Sequence, residues 1–336
     1  MASVPVLLGV GLVATAIVWA GSSWLEGASG TLAEHYALPR LIQGALIAAV
    51  GSSAPELASA VISTVRYGEF ELGVGVIVGS AVFNILVIPA LSALLADGTL
   101  DTGRDVVYKE AQFYMLSVAS LFLVLSFAVI YNPVEGTDLS GDITRPLALS
   151  LLALYGLYVF IQYLDISESN VTAVTLSLRD LLVEWGKLLA GIALIIAGVE
   201  ALVWSAIGLG DAFGTPSFLW GMTVVAAATS LPDALISVAA ARIDEPAVSL
   251  GNVLGSNIFD LLVAIPAGVL LAGATTVSFT NAVPMMGFLV IATIVLFTFS
   301  RTGMEISDGE ASAMLVMYVA FVGWLLLESV GVVNYI

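Results

Sequence analysis

Two short polar segments with the same pattern interrupt long apolar stretches of this chain: GSSAPE at residues 51–56 and ATSLPD at residues 228–233. Each ends in a proline followed by a carboxylate, Glu56 in the first segment and Asp233 in the second. An ionisable side chain in the middle of an apolar span costs roughly 2.5–3.5 kcal/mol on insertion scales, so such residues usually face the protein interior. The two segments therefore predict both a membrane fold and a buried site for something positively charged.

Each of the two carboxylates is preceded by two hydroxyl side chains, which stand four and three residues before it. This spacing puts hydroxyls and carboxylate on one helical face. The hydroxyl residues are Ser52, Ser53, Thr229 and Ser230. Because proline lacks an N–H, Pro55 and Pro232 leave carbonyl groups one turn upstream without a partner. Carboxylate, hydroxyl and carbonyl oxygens are the ligands of calcium, which takes about six to eight of them.

A second pair of polar segments follows in the next apolar stretches, GSAVFN at residues 79–84 and GSNIFD at residues 255–260. They contain pairs with a spacing of four residues, Ser80 with Asn84 and Ser256 with Asp260. No basic residue lies within these spans to neutralise Glu56, Asp233 and Asp260. Cation binding is therefore favoured, with protonated structural carboxylates as the alternative.

The composition assigns the chain to the membrane. Its 336 residues are 60% hydrophobic and 10% charged, with a mean hydropathy of +1.06. Soluble domains are about 45–50% apolar and about 25% charged. The chain has no Cys and a single histidine, His35, which excludes disulfides, thiolate metal sites and multi-histidine zinc sites.

The net charge of −17 disfavours nucleic-acid binding. The acidic residues are spread over the loops, which fits adaptation to high salt or, as the alternative, concentration of divalent cations near the pore mouths. The sequence contains no phosphate-binding loop of the Walker type, so ATP-driven pumping is disfavoured.

The hydropathy pattern predicts an all-α integral membrane protein. A span needs roughly 20 apolar residues, and ten segments satisfy this length: 3–25, 38–66, 72–96, 109–131, 146–164, 185–208, 215–241, 247–272, 280–300 and 312–334. The second and seventh segments contain an internal proline, so we expect broken helices there. Counting Lys and Arg by loop gives seven inside and two outside if the N-terminus is extracellular, which predicts that both termini are extracellular.

The two halves of the chain repeat each other. Four residues recur with an offset of 177, namely Pro39, Gly44, Pro55 and Glu56 as Pro216, Gly221, Pro232 and Asp233. Four more recur with an offset of 176, namely Gly79, Ser80, Phe83 and Asn84 as Gly255, Ser256, Phe259 and Asp260. Five spans per half make the repeat inverted, with residues 1–165 and 185–336 as the halves and 166–184 as a short cytoplasmic connector. Such repeats usually hold the substrate at the membrane midplane.

The quoted segments, extended as GSSAPELASAVI, GVGVIVGSAVFNIL, ATSLPDALISV and GNVLGSNIFDLL, resemble the two signature repeats of the calcium/cation antiporter superfamily. This superfamily contains the sodium/calcium exchangers and their potassium-dependent relatives. The resemblance implies exchange of calcium for sodium across the cell membrane, with Ca²⁺ and Na⁺ as transported ions and without a further cofactor. It also implies that segments 1 and 6 slide across a rigid core to alternate access, and we expect a monomer.

The resemblance also implies a set of ion-binding residues. These are Glu56 and Asp233, with contacts from Ser52, Ser53, Ser80, Asn84, Thr229, Ser230, Ser256 and Asp260 and from backbone carbonyls near Ala49 and Ala226. Two positions depart from the pattern of many relatives: Asp233 stands where Glu is frequent, and Ala81 where Asn is frequent. The coupling ion stays open between Na⁺, H⁺ and K⁺, since an acid at the position of Asp260 is tied to potassium coupling in one branch. A cation channel would use the same oxygen ligands.

Three other acidic residues need an interpretation. Gly208-Leu209-Gly210-Asp211 matches the GxGD motif of intramembrane aspartyl proteases, whose chemistry needs two buried aspartates. The nearest partner motif, at residues 163–165, is interrupted, so a protease is the distant alternative. Glu200 in the sixth segment is interpreted as a packing or water-facing residue or as part of an ion path. Glu26 is expected near the end of the first span, in contact with interfacial water.

Overall fold

The fold is a bundle of long helices joined by short loops. The computed structural model describes residues 2–38, 49–95, 100–102, 106–135, 139–165, 175–242 and 246–329. Some residues of the sequence argument lie outside these ranges. They are Pro39 and Gly44 of the repeat, Arg40 and Arg104 among the basic residues counted for orientation, and residues 166–174 of the connector.

The helices of the first half are α1 (Val4–His35), α2 (Ala49–Ser52), α3 (Ala54–Tyr67), α4 (Phe70–Leu95), α5 (Ala111–Tyr131) and α6 (Arg145–Asp165). Those of the second half are α7 (Leu178–Phe213), α8 (Ser217–Trp220), α9 (Ala226–Arg242), α10 (Pro246–Phe259), α11 (Ile265–Ala272), α12 (Phe279–Arg301) and α13 (Asp308–Ser329). Short strands are β1 (Leu100–Asp101), β2 (Ser140–Ile143), β3 (Thr275–Ser278) and β4 (Glu305–Ile306).

Nine helices in the described part of the chain are long and apolar enough to cross a membrane. They include α1, α4, α6, α7, α12 and α13, and the continuous stretches that contain α5, α8–α9 and α10–α11. Of the expected second span, only residues 49–67 are described, and they form α2 and α3. The α4 helix is the central one, with 89% of its most apolar window buried.

The expected helix break in the second segment is present. The α2 helix ends at Ser52, Ser53 adopts φ −88° and ψ 7°, and α3 restarts with Pro55 in its first turn. Proline is well placed there because the first turn of a helix needs no N–H donors. The α3 helix ends at Gly68, whose φ of 70° is a left-handed conformation that glycine adopts without strain.

The expected break at Pro232 in the seventh segment is not observed. The chain is helical from Ser217 to Arg242, and Pro232 lies inside α9. A single proline removes one helical hydrogen bond, and here that loss does not end the helix. The irregularity lies earlier instead, in a π-helical turn at Gly221–Val225. A second π-helical turn begins at Asp260 and ends at Ala264, and such turns are frequent at functional sites.

The α1 and α7 helices pack closely against each other. A Cβ on Gly21 would lie 2.9 Å from the carbonyl oxygen of Gly191, and a Cβ on Gly191 would lie 2.8 Å from the carbonyl oxygen of Gly21. The two glycines therefore permit a backbone approach that no larger residue allows, as at many helix contacts in membranes. Both helices are longer than the expected segments 3–25 and 185–208, because they extend to His35 and Phe213.

Two short β-ribbons, which the hydropathy pattern does not reveal, connect loops of the two halves. The β1 strand pairs with β4, and β2 pairs with β3, both antiparallel. Segments of two to four residues are too short for a periodicity signal, since several alternations are needed to recognise a strand.

Candidate cation site

The site residues come from four elements that meet around the buried middle of the bundle. The α3 helix provides Glu56, α9 provides Asp233, and Asp260 directly follows α10. The relative exposures of these three residues are 1%, 2% and 1%. Burial of three carboxylates is costly unless each is neutralised or bound by a positive charge.

The α4 and α9 helices are joined by a hydroxyl contact beside Glu56. The hydroxyl oxygens of Ser80 and Ser230 are 2.7 Å apart. Ser80 also donates a hydrogen bond to Oε1 of Glu56 at 3.3 Å. The carboxylate of Glu56, the hydroxyl of Ser80 and the hydroxyl of Ser230 thus form one group of oxygen atoms.

A second group of oxygens joins the broken helix to α10. The hydroxyl oxygens of Ser52 and Ser256 are 2.9 Å apart, and Ser53 donates a hydrogen bond to the carbonyl of Ser256 at 3.5 Å. The break at Ser53 therefore brings the polar segment 51–56 against the polar segment 255–260, although they are about 200 residues apart in sequence.

Thr229 and the backbone of Ala226 interact with each other. The Thr229 hydroxyl donates to the carbonyl of Ala226 at 3.2 Å, a bond within one turn of α9. Ala49, the other residue expected to offer a carbonyl, is the first described residue of α2. Among the expected residues, the hydrogen bonds across helices join α2–α3, α4, α9 and the α10 residue Ser256 through Ser52, Ser53, Glu56, Ser80, Ser230 and Ser256. That these residues bind the cation stays a prediction.

Several buried oxygens in this region make no hydrogen bond to any described residue. They are Oε2 of Glu56, Oδ1 of Asp233, Oδ1 of Asn84 and both carboxylate oxygens of Asp260. An unpartnered buried acceptor normally costs about 1–3 kcal/mol, and more when it is charged. A set of such acceptors in one buried region is therefore suited to accept cations.

The three carboxylates do not form one tight cluster. Within the described residues, no group of three or more acidic or imidazole side chains lies close enough to hold a single metal ion. Glu56 and Asp233 nevertheless influence each other electrostatically, as do both of them with Asp260. The arrangement suits one or more cations whose ligands include hydroxyl and carbonyl oxygens as well as carboxylates.

Asn257 is a polar residue of this region that sequence reasoning missed. It accepts a hydrogen bond from Nδ2 of Asn84 at 2.9 Å and donates one to the carbonyl of Ala81 at 3.3 Å. An offset of 176 relates Asn257 to Ala81 in the first half, so the repeat could have drawn attention to this position. The asparagine is thus present in the second half only.

Glu26 lies inside α1, just beyond the expected apolar segment 3–25. The α1 helix continues nine residues beyond it to His35. The Cγ of Glu26 is 3.4 Å from the position of a Cβ on Gly51, directly before the break in the second segment. The expectation that Glu26 lies near the end of the first span stays a prediction, because a helix of 32 residues is longer than one membrane span.

The other two acidic residues have a clear environment. Glu200 on α7 forms a two-contact salt bridge with Arg66 at the end of α3, with N–O distances of 2.8 and 3.1 Å. Asp211 lies exposed in the last turn of α7. An exposed aspartate at a helix end does not provide the buried pair of a protease.

Comparison with known proteins agrees with this architecture. The sequence pattern of the family described as "Sodium/calcium exchanger protein" matches residues 6–164 and 183–327. The sodium/calcium exchanger MaX1 of Methanosarcina acetivorans is 24% identical over 332 residues, covering 90% of this chain and 93% of that protein.

Two solved structures share the fold. The H⁺/Ca²⁺ exchanger CAX aligns with a TM-score of 0.74 at 17% identity, over 94% of this chain and 81% of its own. The sodium-calcium exchanger NCX_Mj, soaked with Na⁺ and Ca²⁺, aligns with a TM-score of 0.62 at 22% identity, over 95% and 98%. Since the family pattern covers most of the sequence and the fold agrees, this chain belongs to the sodium/calcium exchanger family and is a multi-span membrane transporter, not an enzyme.

Proposed function

We propose that the protein is a secondary active antiporter that exchanges calcium for sodium across the cell membrane by alternating access. The observation that carries the proposal is the set of buried, unpartnered carboxylate oxygens of Glu56, Asp233 and Asp260 inside a membrane-spanning bundle. Calcium and sodium are hard cations that take oxygen ligands, and the surrounding hydroxyls of Ser52, Ser80 and Ser230 provide more of them.

The ten-span inverted repeat is part of the proposal, and related pairs of contacts support it. An offset of 177 converts the contact between Gly21 and Gly191 into one between Gly198 and Ala14. A Cβ on Gly198 would indeed lie 3.1 Å from the Ala14 carbonyl oxygen. Offsets of 176 and 177 likewise convert the pair Ser80–Ser230 into Ser256–Ser53. Both of these contacts are present.

The β-ribbons support the number of crossings. Six helical segments separate β1 from β4, and four separate β2 from β3. An even number of crossings returns the chain to the same membrane side, as strand pairing requires. The undescribed residues between the paired strands come in stretches of nine or fewer, too short to add a span.

Alternating access requires one part of the bundle to move against another. The α1 and α7 helices are suited to this because small residues line their contact and they form an apolar layer with α4 and α9 around Val76 and Ala228. The Arg66–Glu200 bridge is the exposed polar tie between α7 and α3. Exposed ion pairs contribute only about 0–1 kcal/mol, so this bridge does not prevent such a movement.

Sodium is the proposed coupling ion because MaX1 and NCX_Mj are named as sodium/calcium exchangers. Proton coupling is the second candidate, favoured by the likeness in fold to the H⁺/Ca²⁺ exchanger CAX. Potassium dependence rests on the resemblance at Asp260. The proposal further includes extracellular termini, a cytoplasmic connector at residues 166–184 and a monomeric transporter.

The experiment is calcium-45 uptake into proteoliposomes containing the purified protein, with a sodium, proton or potassium gradient imposed one at a time. We expect uptake that depends on an opposite sodium gradient and is unchanged by the potassium gradient. Uptake driven by the proton gradient alone would show that H⁺, and not Na⁺, is the coupling ion. Calcium flux that is independent of every gradient would indicate a channel and contradict antiport.

A further inference from the structure

A cavity of about 220 Å³ lies where the start of α1 and the end of α7 meet the end of α3. Its lining includes Leu7 of α1, Tyr67 of α3, and Trp204, Gly208 and Asp211 of α7. Spacings of four and three residues place the three α7 residues on one face of that helix. The cavity is separate from the cation site, since none of the described residues of that site lines it.

One wall of the cavity is formed by α1 and α7 as a fixed pair. The Ser205 hydroxyl on α7 donates a hydrogen bond to the carbonyl of Leu7 at 2.8 Å. A Cβ on Gly208 would lie 2.7 Å from Cδ2 of Leu7, so the two helices are in tight contact there. The opposite wall is Tyr67, the last residue of α3, and the first turn of this helix carries Glu56. The cavity therefore lies between the two helices that the proposed mechanism moves and a helix of the cation site.

The cavity is negatively charged. Among the described residues that line it, Asp211 alone carries a charge. Within the described ranges, the Asp211 side chain makes no hydrogen bond and no ion pair. The last turn of α7 also contains no basic residue, although the C-terminal end of a helix favours positive charge. Arg66, which precedes Tyr67, is already paired with Glu200 at 2.8 Å. A positively charged ligand is therefore the one that this cavity favours.

The rest of the lining selects the kind of cation. A single carboxylate among apolar residues does not provide the six to eight oxygens that calcium takes. The rings of Trp204 and Tyr67 attract organic cations, and Leu7 and Ile207 offer apolar contact. Small-molecule sites are usually clefts of this composition, mostly apolar with few polar groups. The best match is an ammonium group attached to an apolar body.

We propose that this cavity binds an amphiphilic organic cation, with its ammonium group beside Asp211 and its apolar body against Trp204, Tyr67 and Leu7. A molecule that contacts α7 and Tyr67 together opposes displacement of α1 and α7 against α3. Its binding therefore inhibits calcium exchange from outside the cation site. The inhibition rests on the proposed function, whereas the binding itself does not.

The test uses phenylbutylammonium as the probe and phenylbutanol as its uncharged counterpart. Isothermal titration of the protein in dodecyl maltoside micelles measures binding, with empty micelles as the blank. Asp211→Asn removes the charge, and Trp204→Leu removes the aromatic ring but keeps an apolar side chain. Glu34→Gln is the matched control, because Glu34 is an exposed acid near the other end of α1. Thermal unfolding establishes that each variant is folded.

We expect Asp211→Asn to weaken binding of phenylbutylammonium on the order of tenfold, because one ion pair is lost at a partly desolvated place. Trp204→Leu should weaken it about threefold, as expected for one cation–π contact. Glu34→Gln should match the wild type, and phenylbutanol should bind equally to the wild type and to Asp211→Asn. Equal affinities of the wild type and Asp211→Asn for the ammonium probe, or no binding above the micelle blank, would overturn the inference.

The effect on transport is measured by calcium-45 uptake into proteoliposomes. We expect phenylbutylammonium to inhibit wild-type uptake, and Asp211→Asn to raise the half-inhibitory concentration by the same factor as in binding. Uptake without the probe should be the same in both proteins. Binding that depends on Asp211 but leaves uptake unchanged would contradict the inhibition. If such binding were seen in a protein without gradient-driven calcium uptake, the proposed function would fall and the binding site would stand.

The natural ligand is either a membrane lipid or a soluble amine, since both can carry an ammonium group. Phosphatidylethanolamine added to the micelles separates these sources. Weaker binding of phenylbutylammonium in its presence would assign the cavity to the lipid headgroup. Unchanged binding would assign it to a soluble amine.

Discussion

At the scale of single residues, the cation site depends on oxygens that are kept free by the contacts of their neighbours. Asn84 illustrates this. Its Nδ2 donates to Asn257, which leaves its Oδ1 without a hydrogen-bond partner among the described residues. Asn257 is itself fixed by the carbonyl of Ala81. We therefore infer that Asn257 fixes the orientation of the Asn84 amide and leaves its Oδ1 available as a ligand.

The first prediction concerns Asn257→Ala, which removes both hydrogen bonds in a fully buried place. Each group left unpaired costs about 1–3 kcal/mol, so we expect a clear loss of thermal stability. We also expect weaker calcium binding, because the Asn84 side chain is then free to turn. Asn252→Ala, a change to a partly buried asparagine one turn earlier in α10, is the control for both measurements. A loss of stability with unchanged calcium affinity would show that Asn257 has no positioning role.

The chemistry of the site could be predicted from sequence more completely than its connections. Glu56, Asp233 and Asp260 were identifiable because a carboxylate in an apolar span is energetically costly unless a ligand or partner compensates its charge. The contact partners of the hydroxyl groups could not be identified from sequence, because the contact of Ser52 with Ser256 depends on how four helices meet. The packing of Glu26 against Gly51 was not predictable, because local hydropathy does not reveal how far a helix extends or what it contacts.

At the scale of helices, α1 and α7 make a close glycine-mediated contact. Gly21 and Gly191 place each backbone against the carbonyl oxygen of the other. The Arg66–Glu200 salt bridge is a separate, largely exposed contact between α3 and α7. The apolar glycine contact is therefore the determining feature of the α1–α7 pair.

The second prediction concerns Gly191→Ala. The added Cβ would lie 2.8 Å from the carbonyl oxygen of Gly21 and 2.9 Å from the backbone nitrogen of Leu25, so the helices must separate. We expect lower thermal stability and a lower rate of calcium exchange, with calcium affinity little changed. Gly186→Ala is the control, because a Cβ there meets no atom of the described residues within 4 Å and alanine favours helix. Equal exchange rates in the two variants would contradict the role of the close contact.

Helix positions were predictable in general, but their irregularities were not. Apolar length identifies a span, and Pro55 marks a true break because it begins a new helix. Pro232 has the same sequence context and lies inside a continuous helix. The difference depends on the tertiary surroundings, which also produce the π-helical turns at Gly221 and Asp260. No rule of local sequence separates these cases.

At the scale of the whole molecule, approximate symmetry and its violations matter together. The related contacts of Ser80–Ser230 and Ser256–Ser53 indicate two similar halves. The charges are not symmetric. The repeat relates Asp260 to the neutral Asn84, and it relates Glu26 to the apolar Val203. A membrane span tolerates such charges only when a ligand or partner compensates them. The uneven distribution of carboxylates is therefore the feature that should determine which cations are bound.

The central claim is that calcium crosses the membrane by binding to the buried carboxylates. Its most direct test is sodium-driven calcium-45 uptake by proteoliposomes that contain the wild type, Glu56→Gln, Asp233→Asn or the surface control Glu34→Gln. These substitutions preserve side-chain size and remove one charge each. We predict that Glu56→Gln and Asp233→Asn lower uptake to the level of empty liposomes, while Glu34→Gln matches the wild type. Wild-type uptake by folded Glu56→Gln and Asp233→Asn proteins would contradict the account.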